Sequence, residues 1–203
     1  MVEEELVEAY FENNGFLVRK CPPSPLKSLR RKLDPLPAIA VMNPRVSEND
    51  LNMNTRLFSA DLERIRCALV GVLGWGNSAF TPAVLSSDAQ LEKFFRQELE
   101  ESRIAACFSD GAESLQAGMG DFLKLLIVPA LPVAQERLNK VSSLLERLGV
   151  NGVLTLRSIL ENLLRRSSPG AEAEGRSVLQ AFRLIKAYGL TKDPQLEIFA
   201  PVE

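Results

Sequence analysis

The sequence has no histidine among its 203 residues. That excludes every mechanism built on an imidazole base, and His-ligated metal sites with it. Cysteine is scarce. Cys21, Cys67 and Cys107 lie far apart and form no CxxC pair, which argues against a disulfide framework or a zinc ribbon. No apolar run approaches the ~18 residues of a membrane span. The N-terminus reads Met-Val-Glu-Glu-Glu-Leu, acidic where a secretory leader is basic and then apolar. The expected address is therefore the cytoplasm. The formal net charge of -2 speaks against binding nucleic acid over the whole surface, and leaves room for a local basic patch. The chemistry left open is that of carboxylates, lysine, tyrosine, hydroxyls, cysteine or an oxygen-ligated metal.

What is present suits an ordinary globular chain. Hydrophobic residues make up 46% and charged residues 25%, enough apolar material for a sizeable core. The organising stretch is Cys67-Ala68-Leu69-Val70-Gly71-Val72-Leu73-Gly74-Trp75. Its short, β-branched, glycine-ended apolar run predicts a strand buried on both faces, near the middle of a mixed or parallel sheet. Upstream, residues 3–13 read as a helix. Leu6, Val7, Tyr10 and Phe11 form its apolar face, Glu4, Glu8 and Glu12 its solvated one, and Asn13-Asn14-Gly15 its stop. Residues 16–20 and 37–42 read as the first two strands, and Asn43-Pro44 closes the second. Ser59 is positioned to cap a short turn through Ile65.

Downstream of Thr81-Pro82 a helical stretch runs to about Ala106, with Leu91, Phe94, Phe95 and Leu99 as its buried stripe. Residues 109–120 read as a glycine-rich loop. A fourth strand over 122–128 stops at Pro129 and Pro132. The remainder reads as helical, with apolar stripes at Leu138–Leu148, Leu156–Leu164 and Val178–Ile185 and a loop over 167–175. Residues 196–199 suggest a short terminal strand.

The densest charge feature is Arg19, Lys20, Lys27, Arg30, Arg31 and Lys32, with no acid between them. It reads either as a solvated loop or as a phosphate-contacting surface. On the last helix Arg176, Gln180 and Arg183 recur at i, i+4 and i+7. They suit a recognition helix and a solvated face equally. Trp75 reads as a strand-end anchor rather than a stacking platform for bases.

The order helix, strand, strand, strand, helix, strand over residues 3–132 resembles the PD-(D/E)XK nuclease-like superfamily, with its restriction-endonuclease-like fold. Val7-Glu8-Ala9-Tyr10-Phe11 through Asn14-Gly15-Phe16-Leu17-Val18-Arg19 is similar to the first helix and strand of such proteins. Ala38-Ile39-Ala40-Val41-Met42-Asn43-Pro44 is similar to the second strand, and Val70-Gly71-Val72-Leu73-Gly74-Trp75 to the third. The resemblance implies an α/β core over 1–132 with a mixed central sheet. Residues 133–203 would then form a helical C-terminal region, read as a winged-helix-like appendage or a homodimerisation surface.

In active members of that superfamily the second strand carries a metal-binding aspartate and the third an acid-x-lysine motif. Two carboxylates hold Mg²⁺, which polarises the phosphate and activates water, and the lysine offsets developing charge. Here the corresponding positions are Ala38, Gly71 and Leu73. A register shift does not restore the motif, because no lysine in the chain has Asp or Glu two residues before it. The resemblance therefore implies a nuclease-fold protein without catalysis or cofactor, which acts by binding nucleic acid or a protein. The alternatives are a nuclease whose Mg²⁺-binding carboxylates have migrated to Asp34, Asp61, Glu63 or Glu8, and a C-terminal DNA-binding or dimerisation module.

Overall fold

A computed structural model describes residues 2–21, 36–115, 121–167 and 176–191. Five strands form one open sheet in the order β1-β2-β3-β4-β5: Leu17–Cys21, Ala38–Met42, Cys67–Val72, Leu123–Val128 and Gly152–Thr155. β2 pairs antiparallel with both β1 and β3, and β3, β4 and β5 run parallel. All six residues of β3 are buried, so the opening apolar run does take the middle of a mixed sheet.

Alternation along the strands sends side chains to two separate cores. Ile39, Val41, Ala68, Val70, Val72, Leu125 and Ile127 face the first, against helix α1 (Val2–Asn13), helix α6 (Leu156–Arg166) and helix α7 (Ser177–Ala187). Ala38, Ala40, Leu69, Leu126, Val128 and Val153 face the second, against helices α3 (Asp88–Glu98), α4 (Glu101–Leu115) and α5 (Gln135–Arg147). The single-turn helix α2 spans Pro82–Leu85, and a 3-10 turn spans Ser59–Arg64. Tyr10, Phe11, Phe94 and Leu99 are all buried between helices and sheet, as their periodicity predicts.

Three expectations need correction. The helical stretch expected from beyond Pro82 to about Ala106 breaks after Glu98 and restarts at Glu101. The break brings Glu98 and Arg103 together as a fully buried ion pair at 2.7 Å. Glu98 also accepts from the Ala79 N–H, and Arg103 donates to the Asn77 carbonyl, so the pair fastens the chain that leaves β3. The glycine-rich segment from 109 stays helical through Leu115. Gly111 is there for closeness: a Cβ on it would sit 3.2 Å from Leu69 and 3.4 Å from Ala38, so α4 lies directly on the sheet. Finally, Gly152–Thr155 is a strand where only helices were expected. Four residues are too few to show a period, and the segment is fixed by pairing with β4 on one side and residues 55–57 on the other. The suggested strand at 196–199 lies outside the described residues.

Candidate functional site

Ala38, Gly71 and Leu73, the positions singled out by the strand phrases, are sealed. Ala38 and Gly71 are cross-strand partners in the β2–β3 register, and Leu73 follows β3 with no exposed surface. A Cβ on Gly71 would lie 3.1 Å from Cys107 Sγ of α4 and 3.2 Å from Leu126. Methyl, hydrogen and isobutyl groups under a helix offer no oxygen to a cation, so the residues at these positions do not fit Mg²⁺. Beyond Leu73, an edge-to-face chain of Trp75, Phe80, Phe94 and Phe95 closes the same end, with ring centroids 4.7, 5.1 and 5.5 Å apart.

The acids considered as replacements are not gathered. Among the described residues no group of three or more His, Cys, Asp or Glu is placed to hold a metal ion. Asp34 lies outside the described residues. Asp61 accepts from the Phe58 N–H at 2.8 Å and so stops the 3-10 turn from fraying. It takes the capping work expected of Ser59, whose hydroxyl is engaged elsewhere. Glu63 is exposed. Glu8 is the largest departure from the sequence reading: it is only 2% exposed, not on a solvated face. Its carboxylate is held by Lys20 at 2.9 Å and by Arg176. Arg176 also grips Glu12 through two hydrogen bonds of 2.7 Å. These contacts raise the Lys20 and Arg176 pKa values and depress that of Glu12, the hydrogen bond being the main cause each time.

Two of the expected nucleic-acid contacts, Lys20 and Arg176, thus spend their charge inside the protein. Arg19 sits on exposed edge strand β1, where a cation also discourages edge pairing with another chain. Gln180 is exposed and Arg183 half-buried on α7, whose Leu179 enters the core. Lys27, Arg30, Arg31 and Lys32 lie outside the described residues.

Among the concave surfaces of the described residues, two lie at the ends of the sheet's strands. The first is a polar cleft of about 660 Å³, where β2 ends and β1 begins, lined by Asn14, Asn43, Arg45, Ser59, Glu63 and Arg166. The second is a groove of about 580 Å³ at the carboxyl ends of β3, β4 and β5, the edge where open α/β sheets bind ligands. Trp75, Leu131, Val133, Leu156, Leu160 and Leu164 line its apolar floor and wall, and Arg56, Asp88, Arg157 and Glu161 stand at its rim. Asp88 accepts from the Val133 and Ala134 N–H groups at 3.0 and 2.6 Å, so the start of α5 is pinned beside the groove, and these bonds lower the Asp88 pKa. No family model, curated protein or solved structure matches the chain.

Sequence reasoning missed both surfaces. The polar cleft gathers residues from four separate segments: Asn13-Asn14-Gly15 and Asn43-Pro44 read only as stops and Ser59 as a cap, and nothing local joins them. The groove residues read as stop signals, a strand-end anchor and a helix stripe, because they come from separate elements that meet only in the fold. Among the described residues no helix is long and apolar enough to cross a membrane.

Proposed function

We propose that this chain is a nuclease-like α/β protein that does not cleave phosphodiesters and works by binding a protein partner. The observation that carries this reading is the Ala38–Gly71 pair beneath α4. It stands where the superfamily it resembles places its two metal acids, and it is filled with hydrocarbon. The resemblance implies a mixed central sheet, and the mixed five-stranded sheet is compatible with it.

A protein partner is favoured over nucleic acid because Lys20 and Arg176 are neutralised internally while the groove exposes apolar side chains. Val133 is 89% exposed, Leu85 50% and Trp75 41%. Adjoining exposed hydrophobics with a polar rim mark a surface for apolar anchors of another polypeptide. Arg176, which caps α7, loses its claim as a DNA reader because its charge is held by Glu8 and Glu12.

Two measurements test the reading. Purified protein is incubated with DNA and RNA in Mg²⁺ and in Mn²⁺, and no cleavage is expected; cleavage that survives repurification overturns the non-catalytic half. Co-purification after exhaustive nuclease treatment is then compared for the wild type and Val133→Asp. A polypeptide retained only by the wild type is the expected result. Retention of nucleic acid by both, with affinity falling steeply in salt, points to the basic residues instead.

A further inference from the structure

We infer that the polar cleft beyond the end of β2 is a binding site for a phosphate group. The inference goes beyond the proposed function and does not rest on it, because the cleft lies at the opposite end of β2 from Ala38. Its walls carry more hydrogen-bond donors than the protein uses. Ser59 Oγ accepts from Tyr10 Oη at 3.2 Å and from Asn162 Nδ2 at 3.1 Å, so its own proton is left for a ligand.

Asn43 is only 6% exposed. Its Oδ1 accepts from the Arg45 N–H at 3.0 Å, which fixes the amide orientation and leaves Nδ2 without a protein partner among the described residues. The amide thus presents to the cleft a donor that no protein group uses among the described residues. The Arg45 guanidinium makes no side-chain bond among the described residues. It lies over Gly15, which has φ +86°, and a Cβ there would meet the guanidinium carbon at 3.3 Å. Arg166 donates one N–H to the Asn13 carbonyl at 2.7 Å and keeps the rest of its fork.

The acceptors do not balance these donors. Asn14 spends its amide on the Tyr10 carbonyl and on Asn162. Glu12 is neutralised by Arg176, and exposed Glu63 is the remaining acid of the lining. Two guanidinium forks, an amide and a hydroxyl converging on one cleft match the several oxygens and the double charge of a phosphate group. The volume suits a small phosphorylated molecule. A nucleic-acid backbone also offers phosphate oxygens, with one charge per phosphodiester, so the test separates the two sources.

Inorganic phosphate is titrated into the isotope-labelled full-length protein at constant ionic strength, with chloride as the control. The side-chain amide signals of Asn14, Asn43 and Asn162 are followed by NMR. A saturable shift with phosphate and none with chloride is expected. Arg45→Ala removes an exposed side chain and keeps the fold. It is expected to weaken binding about tenfold or more, the loss of one charge-assisted bidentate contact. Arg45→Lys is expected to recover part of it, and Ser59→Ala to weaken binding less than Arg45→Ala. A short single-stranded oligonucleotide that displaces phosphate identifies the backbone as the source, and one that does not identifies a small phosphorylated ligand. Absence of a saturable phosphate shift, or one unchanged in Arg45→Ala, overturns the inference.

Discussion

The two ends of strand β2 meet different neighbours, and the difference separates what this sheet has closed from what it has left open. At Ala38 the neighbours are Gly71 across the ladder and Gly111 on α4, and the missing side chains let the helix settle onto the strands. At Asn43 the neighbours are the turn after α1, Ser59 and the end of α6, all polar, and the chain leaves a cleft there. One sheet can thus be dry at one end of a strand and donor-rich at the other. The choice is made by the residues that pack on it.

The strongest way to break this comparison is to put the absent acid back. Gly71→Asp places a carboxylate against Cys107 Sγ and Leu126 with no room and no counter-charge. The expected result is destabilisation by several kcal/mol, a large share of a typical domain's stability, and no metal-dependent cleavage. Denaturant unfolding and the nuclease assay read the two outcomes. A variant that unfolds like the wild type and gains metal binding would mean that this end is open after all.

The next effect comes from the pair that holds α4 in place. Glu98→Gln takes the negative charge out of this buried ion pair. The expected loss is about 3–5 kcal/mol, measured by urea unfolding, because a carboxylate held at 2.7 Å from a buried guanidinium is lost in low dielectric. The polar cleft is remote from this pair, so phosphate affinity of the folded fraction is expected to stay unchanged. Coupled loss of both would show that the ends are not independent.

How much of this was legible beforehand depended on where the deciding partner lay. The buried run at 67–73 and the stripe of Tyr10 and Phe11 carry their own period, and both elements formed as read. The α/β class followed from them. Glu8 falls on the polar side of a local helical pattern, yet it is buried because α7, far off in sequence, brings Arg176 onto it. The break after Glu98 was hidden for a similar reason: its cause is a carboxylate reaching Ala79 and Arg103, not a glycine or proline. Gly111 looked like a loop residue because a close helix–sheet approach and a loop both ask for glycine. Ala38 and Gly71 were singled out from strand phrases alone, and their direct pairing is a fact only the register supplies.

A smaller effect tests the contact that joins α7 to α1, on the face of the sheet away from α4. Arg176→Ala removes a two-bond grip on Glu12 and one of two cations on Glu8. Lys20 stays on Glu8, so the expected loss is on the order of 1–3 kcal/mol, smaller than that at the buried Glu98–Arg103 pair. Faster hydrogen exchange confined to residues 177–187 is the expected local sign. Exchange unchanged in α7 would mean that Val178, Leu179 and Phe182 hold the helix without it.

The smallest expected effect is a pH dependence carried by the same contact. The hydrogen bond from Arg176 holds the Glu12 carboxyl below its ordinary pKa in the folded chain. The unfolded chain therefore takes up this proton first as pH falls, and stability declines from there. The contribution is whole well above the ordinary glutamate value of about 4.3, and shrinks as pH falls through it to the depressed folded value. Glu12→Gln removes that titration, so its stability loss relative to the wild type is expected at neutral pH and to narrow in acid. Because Glu12 is partly exposed, salt is expected to flatten the difference further. Unfolding midpoints measured from pH 7 down to about pH 3, at low and high salt, read both trends. Parallel pH curves for the wild type and Glu12→Gln would show that the arginine grip does not contribute through the charge of Glu12, and would leave the anchoring of α7 to its apolar face.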